Sequence, residues 1–160
     1  MPAETMKRKE ERKILVFLSA NQELGLDISC VREVLRPREI CPLPKAPPFI
    51  EGVIHLRGRI VALMDLGKRL HPDHIETEPN PRIIVCKANG FIIGLTVNGL
   101  REIITLSEGE IEPTPEVASM HLEADVISGI ARVGERIIPI LDLGHLLTKQ
   151  EATELSTLQP

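Results

Sequence analysis

"EGVIHLRGRIVALMDLGKRL", residues 51–70, decides the fold, because the chain writes it twice. Two apolar runs, joined at the corner Arg57-Gly58 and closed by Asp65-Leu66-Gly67, return as "GIARVGERIIPILDLGHLL", residues 129–147. The second copy stands 77 positions on without a gap, setting Gly52 on Gly129, Arg59 on Arg136, Ile60 on Ile137 and Asp65 on Asp142. Upstream, "ILVFLSANQELGLDISCVREVL" (14–35) matches "IIVCKANGFIIGLTVNGLREII" (83–104) at an offset of 69, with Gly25 on Gly94, Arg32 on Arg101 and Glu33 on Glu102. The offset grows by eight between the blocks, which places the extra residues in or near the polar, Pro-containing stretch 105–128, where a surface loop tolerates insertion. Two copies at this period indicate a duplicated small fold, not a solenoid or propeller array.

Composition narrows the function. A chain of 160 residues buries roughly 70% of its unfolded surface, enough for two small lobes sharing a core, while either half alone is marginal. The hydrophobic content of 42% excludes a disordered chain, and a net charge of -4 with interspersed signs gives no nucleic-acid footprint. Three Phe, with no Trp or Tyr, leave almost no stacking platform for bases or sugars. The basic start followed by "ILVFLSA" resembles a leader, but the apolar run is short, Glu4, Glu10 and Glu11 precede it, and the repeat assigns it to a strand. No stretch is long enough to span a membrane as a helix. The odd count of cysteines, Cys30, Cys41 and Cys86 in apolar surroundings, fits reduced, space-filling thiols and a cytoplasmic protein.

Residues 14–18 and 83–86 read as short strands, each followed by a turn: Ser19-Ala20-Asn21-Gln22 in one copy and Asn89-Gly90 in the other. The next strand carries Gly25 or Gly94, read as a bulge or a tight corner. "RPREICPLPKAPPFIEG" allows an edge strand and a rigid connection but no central ladder position. Gly52 to Leu56 and Arg59 to Met64 form a hairpin. Short strands, glycine corners and Pro-rich links within each half indicate small barrels. Thr148 and Glu151 stand in capping-box spacing before Leu155 and Leu158, so a short terminal helix is expected.

Two constellations invite enzymatic readings. Paired Asp-Leu-Gly segments resemble the loops of an aspartic-type hydrolase using Asp65 and Asp142. Leu66 and Leu143 replace the hydroxyl residue such a dyad needs, so turn capping is the better account. His71, Asp73, His74 and Glu76 could ligate a metal, but a His pair around Pro72 lies on no regular helix face and has no counterpart in the second half, so no metal site is expected.

"GVIHLRGRIVALMDLGKRL", preceded by "GLDISCVREVL" and "ICPLPKAPPFIEG", strongly resembles the CheW-like coupling proteins of bacterial chemotaxis over about residues 11–150. The resemblance implies an all-β fold with a short C-terminal helix: two five-stranded SH3-like β-barrels about a pseudo-twofold axis, with a third apolar core between them. The expected layout is a disordered charged arm (1–13), a single CheW-like domain (14–147, lobes about 14–70 and 81–147) and a C-terminal helix or tail (148–160). The resemblance further implies a non-enzymatic adaptor without cofactor or metal. Its partners are the cytoplasmic tip of a methyl-accepting chemoreceptor and the regulatory domain of a chemotaxis histidine kinase, and it is cytoplasmic but recruited to membrane receptor arrays. The residues assigned to protein binding are Val31, Glu33, Leu56, Arg57, Gly58, Asn98 and Gly99. His55 departs from the family's usual Asn, and Gly134-Glu135 replaces Arg57-Gly58 in the second copy, so the two corners are expected to meet different partners.

Overall fold

The computed structural model describes residues 11–71, 80–88, 90–113 and 126–146. The arm up to residue 10, the "HPDHIE" stretch beyond His71 and the expected terminal helix lie outside the described residues. The first half supplies β1 (Glu11–Ser19), β2 (Gln22–Asp27), β3 (Val31–Leu35), β4 (Ile50–Leu56), β5 (Arg59–Asp65) and the single-turn helix α1 (Leu66–Leu70). The second supplies β6 (Arg82–Ala88), β7 (Phe91–Val97), β8 (Gly99–Ser107), β9 (Ile111–Glu112), β10 (Ile127–Val133) and β11 (Arg136–Leu141).

Sheet one has the order β8-β1-β2-β11-β10-β9 and sheet two the order β3-β6-β7-β5-β4. In terms of the repeat the two orders are the same, and each sheet takes its second and third strands (β1-β2 or β6-β7) from one half and the rest from the other. The sixth strand of sheet one has an equivalent too. β9 pairs with β10 at Glu112↔Ile130, and in sheet two a single bridge from Cys41 to Val53 covers the matching edge of β4. The sheets are therefore drawn from Glu11–Asp27 with strands of Gly99–Leu141, and from Val31–Val97, so strands are exchanged between the lobes 14–70 and 81–147, an exchange the sequence left open. β1 also starts earlier than expected: Glu11, Arg12 and Lys13 continue the ladder with β8, and Arg12 Nε donates to Asp27 Oδ2 at 3.0 Å.

The exchange explains why the strands read as unbroken apolar runs. Ile14 and Val16 of β1 face a core enclosed by sheet one, with Leu106, Ala131, Ile138 and Ile140, whereas Leu15 and Phe17 point the other way into a central core between the sheets. Sheet two repeats the arrangement: Val61, Leu63, Ile83 and Val85 face its own core, and Ala62, Met64, Ile84 and Cys86 the central one. All three Phe (Phe17, Phe49 and Phe91) pack on the central core. Each fully buried side chain of this size contributes about 1.5–3 kcal/mol, so a strand buried on both faces is worth twice one with a solvated face.

Gly25 and Gly94 mark the places where strands of different halves join in parallel, Gly25 opposite Ile140 and Gly94 opposite Leu63. An added Cβ would lie 2.6 Å from Ile14 Cγ2 at the first and 2.5 Å from Leu63 Cδ2 at the second. They are close-approach positions, not bulges; the register shifts fall elsewhere, for example between Val16 and Phe17.

The two Asp-Leu-Gly segments meet at the central core, where Leu66, Leu70, Leu143 and Leu146 are buried together. Arg69 Nε donates to the carbonyl of Leu146 at 2.7 Å, a contact between repeat-equivalent positions, and its guanidinium lies 4.8 Å from the centre of the Phe49 ring. No helix among the described residues is long and apolar enough to cross a membrane.

Candidate partner-binding surface

The hairpin β4–β5 turns through two residues, Arg57 and Gly58, with Leu56 opposite Arg59. Both turn residues have positive φ, 50° and 79°, as a right-twisted two-residue hairpin requires. Gly or Asn is the usual occupant of such a position, and an arginine held there costs about 1–2 kcal/mol in steric strain. The side chain it projects is 74% exposed. Its Nη1 donates to Glu33 on β3, at the other edge of sheet two, whose side chain is only 23% exposed.

Glu33 lies opposite Val85, Arg59 shares the inward row of Val61 and Leu63, and Ile92 belongs to the same enclosed core. These inward rows end at a cavity of about 210 Å³. Val61, Val85 and Ile92 make its apolar floor, with Leu56 at the side, and Arg32, Glu33, Arg57 and Arg59 make its rim. Among the described residues Arg32 and Arg59 have no acidic partner, so the rim carries an excess of positive charge. Val34 and Ile60 are exposed on the same two strands, β3 and β5.

The equivalent end of sheet one differs. Arg136, the counterpart of Arg59, donates from Nε and Nη2 to both oxygens of Glu23 at 3.1 and 2.8 Å, and from Nη1 to Glu102 at 2.8 Å. Arg101 adds a looser approach to Glu23 at 4.0 Å. The hydrogen bonds from Arg136 hold the Glu23 carboxyl below the usual glutamate range against the opposing effect of burial. Glu23 occupies the position that Ile92 has in the other copy.

Of the residues assigned from sequence, Glu33, Leu56, Arg57 and Gly58 come together at this surface. Val31 is on the same strand but opposes Cys86 and packs on the central core. Asn98 and Gly99 are not brought there. Asn98 is buried between β7 and β8, donating its backbone N–H to Leu18 O and accepting the Ala20 N–H on Oδ1, both at 2.8 Å; it fixes the β1–β2 turn. Gly99 is buried at the start of β8, opposite Leu18. Arg32, Arg59 and the network at Glu23 escaped the sequence reading, although the alignment of Arg59 with Arg136 and of Glu33 with Glu102 was the signal for them.

Asp65 accepts the Lys68 N–H at 3.1 Å, and Asp142 accepts the Gly144 N–H at 3.0 Å while pairing with His145 Nδ1 at 3.0 Å. Each carboxylate thus serves the turn that follows it, as the capping account expects. No group of three His, Cys, Asp or Glu among the described residues could hold a metal ion. Cys86 is buried in the central core, which pushes its thiol pKa up, and burial does the same more mildly at the half-buried Cys30. Cys41 departs from the expected apolar surroundings: it is exposed, because the Pro-rich connection bearing it runs over the surface.

The CheW-like domain family model matches residues 13–151. The chain belongs to the CheW-like domain family. A chemotaxis protein CheW of Klebsiella aerogenes is 30% identical over 140 residues, covering 88% of this chain and 84% of that protein. The chemotaxis protein CheW of Rhizobium meliloti is 31% identical over 140 residues, covering 88% and 90%. The crystal structure of the scaffolding protein CheW of Thermoanaerobacter tengcongensis superposes with a TM-score of 0.79 at 36% identity, covering 86% of this chain and 88% of that one. The paired β-sheets derived above are therefore those of a CheW-like protein, and the Arg57 corner lies within the matched span.

Proposed function

We propose that this protein is a non-enzymatic scaffold of a chemotaxis-type signalling system, coupling chemoreceptor cytoplasmic tips to the regulatory domain of a histidine kinase. The observation that carries the reading is the open end of sheet two: a strained, exposed arginine at its corner, two further arginines without an acidic partner among the described residues, and an apolar floor. An arginine held in a glycine-preferring backbone position fits contact with a partner, since strained residues cluster at functional positions. Such an end fits a partner surface offering a carboxylate beside an apolar side chain, with Arg57 as a hot-spot residue. Relatives named chemotaxis protein and scaffolding protein support the same reading. On it, the protein works in the cytoplasm and reaches the membrane only through its receptor partner. Titrating the purified chain with a receptor cytoplasmic tip and with the kinase regulatory domain tests it. Saturable binding to both, weakened for at least one of them by Arg57→Ala, is expected; absence of binding to either overturns it.

A further inference from the structure

The inward rows of the two sheets end in the same residue types at equivalent places, with one exception. Sheet one has Glu23, Arg136 and Glu102; sheet two has Ile92, Arg59 and Glu33. Where the glutamate is present, its two oxygens hold the arginine in a bidentate grip and the remaining Nη1 reaches the second glutamate, so an ionic network lies across the end of the core. Where isoleucine stands instead, Arg59 has no acidic partner among the described residues, Glu33 pairs with the corner Arg57, and the cavity of about 210 Å³ stays open.

We infer that the residue at this repeat position, together with the corner where Gly134-Glu135 stands for Arg57-Gly58, decides which end can take a partner presenting a carboxylate beside an apolar side chain: Glu23 is a positioning residue that closes the end of sheet one through Arg136, and Ile92 keeps the end of sheet two open. The inference rests on the scaffold reading above and goes beyond it, since it names what makes two duplicated ends unequal. The need for inequality is physical. A duplicated body with two open, matching ends would capture two copies of the same partner and leave no end for a different one; a closed end excludes the first partner by presenting charges already paired, which binding would have to desolvate without new compensation. The apolar residues exposed beside both ends are themselves repeated, Val34 with Ile103 and Ile60 with Ile137, so hydrophobic contact alone would not distinguish the ends. The ionic residue and the diverged corner do.

Exchange of the two residues in the full chain is the test. In Ile92→Glu the new carboxylate is expected to capture Arg59, close the cavity and lower affinity for the Arg57-dependent probe, the receptor tip or the kinase regulatory domain, at least tenfold, while Ile92→Leu binds within about threefold of wild type. In Glu23→Ile carrying Gly134→Arg and Glu135→Gly, which rebuilds the Arg-Gly corner, calorimetry with the same probe should show stoichiometry rising from one towards two. Hydrogen exchange of the arginine Nε–H gives a readout independent of any partner: slow at Arg136 and fast at Arg59 in wild type, with the order reversed in the exchanged chain carrying Glu23→Ile and Ile92→Glu. Wild-type affinity in Ile92→Glu, or a stoichiometry that stays at one in the rebuilt corner, overturns the inference. Failure of the wild-type chain to bind either probe would instead sink the scaffold reading, and the arginine exchange would still decide whether Glu23 forms the closure.

Discussion

Replacing Arg57 by glycine separates what the fold wants at the β4–β5 corner from what a partner wants. Three magnitudes decide the outcome. Glycine at φ 50° relieves about 1–2 kcal/mol of left-handed strain. Against this, the looser unfolded chain costs about 0.5–1 kcal/mol, and loss of the pair with Glu33, worth little for so exposed an arginine, costs about 0–1 kcal/mol. The net lies between a loss of about 1 and a gain of about 1.5 kcal/mol, and the melting temperature should stay within about 6 °C of wild type. The control is Arg132→Gly. Arg132 lies in the interior of β10 and pairs with Glu112 at 3.2 Å, so the same substitution there removes a similar ion pair but weakens a strand with no strain to relieve. Arg57→Gly is therefore expected to melt above Arg132→Gly while binding the Arg57-dependent partner about thirtyfold less tightly, the consequence of losing a hot spot of about 2 kcal/mol. Differential scanning calorimetry and isothermal titration read the two axes. If Arg57→Gly proves the less stable of the pair, or binds like wild type, the argument from strain to function is refuted.

Asp65→Ala should cost about 0.5–2 kcal/mol in chemical denaturation, the value of a helix cap, because the carboxylate accepts the Lys68 N–H. Gly25→Ala and Gly94→Ala should each cost about 1–3 kcal/mol and lower the melting temperature by several degrees, since the new methyl group meets the side chain of Ile14 or Leu63 inside a packed sheet; unchanged melting would show that the parallel joins can spread. The hydrogen bonds from Arg136 hold the Glu23 carboxyl below the usual glutamate range, so the stability it confers is present above that range and is lost as the pH falls through the lowered value. The stability gap between wild type and Glu23→Gln, measured by urea melts from about pH 6 down to about pH 3, should accordingly narrow on acidification; a widening gap contradicts the sign.

Local chemistry made the strands and hairpins legible. The Arg57-Gly58 and Ala20-Asn21 turns, the caps at Asp65 and Asp142 and the alternation along β4 and β5 are all set within a few residues of chain. Which half supplies a strand's neighbour is not local. Glu33 and Glu102 sit in matching patterns opposite Val85 and Val16, so β3 pairs as readily with either copy as far as its side chains are concerned, and the exchange between halves was invisible for that reason. The same limit shaped the site. Arg57 and Glu33 were found because one corner and one strand carry them, whereas the cavity needs Val85 and Ile92 from the other half. The placement of Asn98 away from this surface was not legible because a buried amide hydrogen-bonded to backbone groups looks, in sequence, like an exposed one.

The exchanged strands also set an order on synthesis. Sheet two is drawn from one continuous stretch, Val31–Val97, and can close as soon as that stretch has left the ribosome. Sheet one cannot: its first hairpin emerges at the outset but its last neighbour, β11, ends at Leu141. At roughly 5–20 residues per second, β1 and β2 wait on the order of ten seconds with their apolar faces uncovered. Only the face bearing Leu15 and Phe17 has a surface to pack on earlier, the side of sheet two that shares the central core with it, so the face bearing Ile14 and Val16 is the one whose cover comes last.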